Sequence, residues 1–119
     1  TTNAQLTALM GAMYLAALGP EGLREVALKS VEMAHKLHAL LLEVPGVRPF
    51  TPKPFFNEFA LALPKDPEAV RRALAERGFH GATPVPREYG EILALCAATE
   101  LHEEEDLLAL REALKEVLA

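Results

Sequence analysis

The sequence lacks tryptophan altogether, and only 6% of its 119 residues are aromatic. A core with so few rings must be built mostly from Leu, Ala and Val, within the hydrophobic half of the composition. It has one cysteine, Cys96, which excludes an internal disulfide and suits a reducing, cytoplasmic setting. It has no excess of basic residues: twelve Lys and Arg stand against seventeen Asp and Glu, a net charge of −5. That balance argues against nucleic acid or an anionic membrane as partner, since both attract basic faces. No basic region precedes an apolar run at the N-terminus, so no signal peptide is expected. The chain begins with Thr1 rather than Met, and a processed or excised piece of something longer is expected. Repeats and low-complexity segments are also missing, and the length fits a single domain able to bury roughly two-thirds of its unfolded surface.

The first twenty residues have no charged side chain. Thr2 or Asn3 can cap a helix whose Leu6, Leu9, Met10, Met13, Tyr14, Ala17 and Leu18 cover more than one face. Gln5, Thr7 and Gly11 interrupt it, and it is too short to span a membrane. A helix apolar nearly all round calls for burial on several sides. Leu6, Leu9, Met10, Met13 and Tyr14 are therefore read as an interface with another domain, another subunit or a second copy. Gly19-Pro20-Glu21-Gly22 reads as a helix–helix turn. From Glu21 to Val44, Leu23, Val26, Ala27, Val31, Ala34, Leu37, Leu41 and Val44 recur at helical spacing, giving an amphipathic helix of roughly 35 Å. Two units follow: residues 1–20 as an uncharged helix that packs elsewhere, and 21–119 as a small α/β domain.

Val44-Pro45-Gly46 stops the long helix, and Val47–Phe50 reads as a short edge strand before Thr51-Pro52-Lys53-Pro54. Phe55–Leu63 alternates, placing Phe59, Leu61 and Leu63 on the face that meets the helices. Asp66-Pro67-Glu68 starts a helix with a cap, a proline at N1 and an acid in the first turn; Gly78 ends it. Phe79–Pro86 reads as a loop or brief edge strand. Glu91–Thr99 is apolar on both faces, as expected of a central strand covered on both sides. Thr99 or His102 can cap a last helix whose first turn is acidic. The predicted fold class is α/β (α+β): a small, mostly antiparallel split-βαβ sheet with helices on one face.

No catalytic constellation emerges. Glu32 and His35 match half of a di-metal carboxylate motif, and His35 and His38 lie three apart, but no further ligands converge; surface histidines are expected. Cys96 would need a base to serve as nucleophile, and His80, in a loop of glycines and prolines, is the one histidine free enough to provide it. A thiol inside an apolar strand is usually inert. Spacing does not decide a His80–Cys96 dyad. Gly78–Thr83 departs from the phosphate-loop pattern, and no metal site is expected.

Several blocks, in order, resemble one family: Thr2-Asn3, the run Leu6 to Ala27, Phe56-Asn57-Glu58-Phe59, and Gly90-Glu91 through Thr99-Glu100. The chain is similar to the C-terminal region of the glycine cleavage P-protein, more closely the α-type subunit 1 of the two-subunit glycine dehydrogenase (decarboxylating). That resemblance implies the small C-terminal domain of a fold-type I pyridoxal-phosphate enzyme, with residues 1–20 entering from a large domain. It implies pyridoxal phosphate in the parent assembly and none here, because nothing in the sequence matches the Schiff-base lysine motif of the β-type subunit. It implies a structural or interaction role, inactive alone, with the large domain, the β-type subunit or a homo-oligomer as partner. The sequence departs from the family at Ile92, where Asn is usual, and at Cys96, where a hydrophobe is usual. Both would share a strand face, as adaptation to a new apolar neighbour. The alternative is therefore an engineered scaffold with a reactive Cys96 or a small-molecule site.

Overall fold

The computed structural model describes residues 3–86 and 92–119. Thr2 as a cap and the Gly90-Glu91 pair lie outside them. The elements run α1 (Gln5–Leu41), β1 (Arg48–Pro49), β2 (Glu58–Ala62), α2 (Pro67–Glu76), β3 (Thr83–Pro84), β4 (Leu93–Ala97) and α3 (Glu104–Leu118).

The expected helix–helix turn is present as a tight kink that divides α1 into two helical segments. Gly19 adopts φ 66° and ψ 177°, and Pro20 opens the second half. Proline lacks an N–H and needs no acceptor at the first position of a new helical segment, so the path resumes at once. Upstream, the Asn3 side chain accepts a hydrogen bond from the Gln5 N–H at 2.9 Å. At the far end the regular helix closes at Leu41, three residues short of the expected Val44. Glu43 and Val44 donate to the carbonyls of Leu40 and Leu41, a tightened last turn. Gly46 then makes the exit at φ 89°, where a Cβ would stand 2.9 Å from Cγ of Pro64. Both the backbone angle and the space require glycine.

The sheet order is β1-β2-β4-β3, and every adjacent pair is antiparallel. β2 and β3 therefore run parallel with β4 between them, which makes β2-α2-β3 a split βαβ unit. In the register of β2 and β4, Phe59 faces Cys96 and Leu61 faces Ala94. Phe59, Leu61, Leu63, Ala94 and Ala98 meet Met33, Leu37 and Leu41 of α1, Val70 and Leu74 of α2, and Leu107 and Leu114 of α3. All three helices thus cover one face of the sheet, the face carrying the large apolar groups of β2. β4 is central, as expected. Its other face is not fully covered within this chain: Leu93 is buried, Leu95 half-buried and Ala97 exposed.

Local capping explains two helix starts. Asp66 accepts from the Ala69 N–H at 3.4 Å, with Pro67 at the first position. For α3 the expected caps are displaced: the Thr99 N–H donates to Nδ1 of His102 at 2.9 Å, and the two residues close the preceding turn. Glu103 is the cap of α3 instead, and its N–H donates to the Asp106 carboxylate at 2.9 Å. Long-range polar contacts tie the helices together: Arg111 to Glu43 at 2.7 Å, and Ser30 Oγ donating to Glu100 at 3.2 Å.

Candidate functional site

The most conspicuous feature is the amino-terminal half of α1. Leu6, Leu9, Met10, Met13, Tyr14 and Leu15 each expose between 51% and 70% of their surface. Residues 3–17 are exposed throughout, and α1 becomes buried only from Ser30 onward. The reason lies in the kink and in length: the second half reaches across the sheet, and the first half continues beyond it. The radius of gyration is 16.4 Å, against about 13.5 Å for a compact domain of this length.

By length and composition alone α1 is also long and apolar enough to cross a membrane, with a mean hydropathy of 1.2 in its best window. That length counts two helical segments joined across the non-helical Gly19, whereas the expectation concerned only the segment before it. The uncharged run itself still stops at Pro20, and Glu21, Arg24 and Glu25 follow at once.

The structure places Cys96 and His80 apart in role. Cys96 lies on β4 facing the helices, half-buried as a residue, with Leu61, Leu74, Ala82 and Leu110 around the same apolar pocket. That pocket has room for about 10 Å³, at the limit for a single water molecule and too small for a ligand. Burial pushes the thiol pKa up to about 11, against a small opposing effect of a hydrogen bond from the Ala82 backbone. The thiolate that nucleophilic chemistry needs is therefore scarce at neutral pH. His80 is exposed at the rim of a shallow groove with Phe79, His102 and Asp106, and no hydrogen bond joins it to Cys96. Ile92 remains 44% exposed, so no new neighbour in the described part of the chain covers it.

Expectation and structure differ at the two histidines of α1. His35 is half-buried, its Nδ1 2.8 Å from the Val31 carbonyl, while Glu32, three residues before it, pairs with Lys36 at 3.3 Å. His38 is 2% exposed, not a surface residue. Its ring lies edge-on to Phe59, centroids 5.0 Å apart, and tilted against Phe55 at 5.1 Å. Phe55 also stacks on His35 at 4.1 Å. The available signal was the stripe itself, since position 38 falls one turn after Ala34 and beside Leu41. Among the described residues no group of His, Cys, Asp and Glu could hold a metal.

Among the described residues, the lysines do not fit pyridoxal phosphate. All five lysines (29, 36, 53, 65 and 115) are exposed. Lys65 is engaged by the carbonyls of Val117 and Ala119, and the groove holding Lys29 and Lys36 is lined by Glu100, Glu103, Glu104 and Glu105. An imine-forming lysine needs a sheltered site, and a phosphate needs a basic one.

The fold places the chain first in a class. It is a small α/β domain with an antiparallel sheet covered on one face by helices, the architecture implied for the small domain of fold-type I pyridoxal-phosphate enzymes. A solved structure described as a NifS-like protein superimposes with a TM-score of 0.68 over 82% of this chain and 29% of that one, at 19% identity, a likeness of fold alone. No family model matches the chain. A crystal structure of glycine decarboxylase (P-protein) of the glycine cleavage system, in inhibitor-bound form, matches at 98% identity and TM-score 0.96 over 99% of this chain and 27% of that one. The probable glycine dehydrogenase (decarboxylating) subunit 1 of Moorella thermoacetica is 40% identical over 120 residues, covering 99% of this chain and 27% of the relative. That of Methylococcus capsulatus is 39% identical over 120 residues, covering 98% and 26%. The chain belongs to the glycine dehydrogenase (decarboxylating) subunit 1, or P-protein, family. It spans about a quarter of the length of the curated relatives it matches.

Proposed function

We propose that this chain is the small C-terminal domain of a glycine-decarboxylating subunit and that its role is structural: it is inactive alone and docks through α1. The observation that carries this reading is the exposure of Leu6, Leu9, Met10, Met13 and Tyr14 on a helix half without a single charge. Such a surface gains free energy by leaving water, at about 25 cal/mol per Å² of apolar area. A contiguous apolar surface of this kind marks an interaction site. The large cofactor-binding domain and the β-type subunit are the partners, residues 1–20 forming the segment that enters from the large domain. Pyridoxal phosphate belongs to that assembly, where the glycine is decarboxylated, in a soluble cytoplasmic enzyme. The geometry around Cys96 does not favour a reactive or ligand-binding scaffold.

Two measurements test the proposal. The isolated chain should self-associate and bind an apolar dye; a clean monomer at high concentration with no dye-accessible surface overturns it. Mixing with the remainder of the subunit and the β-type subunit should restore glycine–bicarbonate exchange, and failure to bind either one removes the assembly role.

A further inference from the structure

We infer that His38 is an acid-sensitive latch: in its neutral form it fastens the segment between β1 and β2 to α1, and its protonation releases that segment. The segment reaches α1 through Phe55, whose ring lies between His35 and His38, one helical turn apart. Phe59 of β2 meets the His38 ring edge-on at 5.0 Å and packs against Phe55 at 5.2 Å, so the three rings form one cluster. Neither ring nitrogen of His38 has a hydrogen-bond partner or meaningful contact with solvent. A neutral imidazole already leaves a donor and an acceptor unsatisfied there; an imidazolium would leave two charged donors in an apolar wall.

The charged surroundings act in the same direction. From the segment, Lys53 faces His38; from α1 itself, His35 does; both disfavour a positive ring, and burial disfavours it most. Among the described residues no carboxylate acts on it. Glu58 of β2 alternates away from Phe59, on the opposite face of the sheet. The segment's hydrogen bonds to the sheet lie at its two ends: the Thr51 N–H donates to the Ala60 carbonyl at 3.3 Å and the Ala60 N–H to Thr51 Oγ1 at 2.8 Å, and the Asn57 carbonyl accepts from the Ala98 N–H at 3.1 Å. Packing of Phe55 between the two histidines is therefore a main restraint on it.

The sign follows from the lowered pKa in the closed form. The opened form takes up a proton near the ordinary histidine value of about 6.5, and the closed form only at lower pH. Closure is intact above about pH 6.5 and weakens as pH falls toward the closed-state value, by at most about tenfold per pH unit.

Hydrogen exchange of peptides spanning residues 50–57 in the complete chain, corrected for intrinsic exchange, reads the opening directly. Between about pH 7.5 and pH 5.5 it should rise several-fold in the unaltered chain and stay flat in His38→Leu and His38→Gln. Lys53→Glu should reduce the rise by giving the imidazolium a partner. A flat profile in the unaltered chain, or the same rise in both His38 variants, overturns the proposal. Should neither variant fold, exchange at the imidazole carbon of each histidine in the unaltered chain decides it. His38 titrating below the ordinary histidine value of about 6.5, in step with the opening of residues 50–57, supports the latch; titration at that ordinary value overturns it.

Discussion

Truncating Leu9 and Met13 together to alanine isolates the docking half of α1 from the fold itself. The two lie four apart on one helix face and are 56% and 63% exposed, so neither contributes much to the core of this chain. Alanine also keeps the helix, since its propensity is the highest of any residue. Stability of the isolated chain should therefore shift by less than about 0.5 kcal/mol, the usual range for surface substitutions. Binding is another matter. Full burial of a Leu or Met side chain gains about 1.5–3 kcal/mol. With more than half of each still available to a partner, the pair should lose roughly 2–4 kcal/mol, about 30- to 1,000-fold in association constant. Sedimentation equilibrium of the chain, and its titration with the remainder of the subunit, measure that loss, with thermal unfolding as the control. An unchanged association constant would refute the reasoning. So would a fall of several kcal/mol in the stability of the chain alone, since it would place these side chains in a core.

Three further outcomes follow from the geometry. Cys96, with its pKa near 11 and its pocket of about 10 Å³, should alkylate slowly in the native chain with no acid-shifted profile, and quickly after unfolding; a fast native reaction at neutral pH would place the thiol in solvent. Gly46→Ala should lower the melting temperature by an amount equivalent to about 1–3 kcal/mol, from its positive φ and the 2.9 Å approach to Pro64; an unchanged melt would mean that the turn relaxes freely. Leu61→Ala, fully buried under the helices, should cost about 2–5 kcal/mol in urea unfolding, far more than Arg111→Ala, whose pairs with Glu43 and Glu112 lie at the solvent-screened surface.

The sequence by itself determined the short-range features. Asp66-Pro67 starts α2 because cap and proline act within one turn, and the alternation of Phe59, Leu61 and Leu63 sets the buried face because the pleat has a period of two. The uncharged first half of α1 was legible for the same reason: composition within one helix decides what its surface wants. Tertiary structure alone decided what depends on distant neighbours. How sharply the chain turns at Gly19-Pro20 was such a feature: Gly19 leaves helical geometry at φ 66° and ψ 177°, and Pro20 opens the next segment at once. His38 is a buried ring because Phe55 and Phe59, remote in sequence, close over it, and periodicity assigns a face without saying what will cover it. Cys96 owes its raised pKa to the desolvation of its site, and Ala82, which hydrogen-bonds it from across the chain, brings it only partway back. The exposed half of α1 joins both kinds of information: its apolar character is written locally, but only the fold shows that nothing within the described residues covers it.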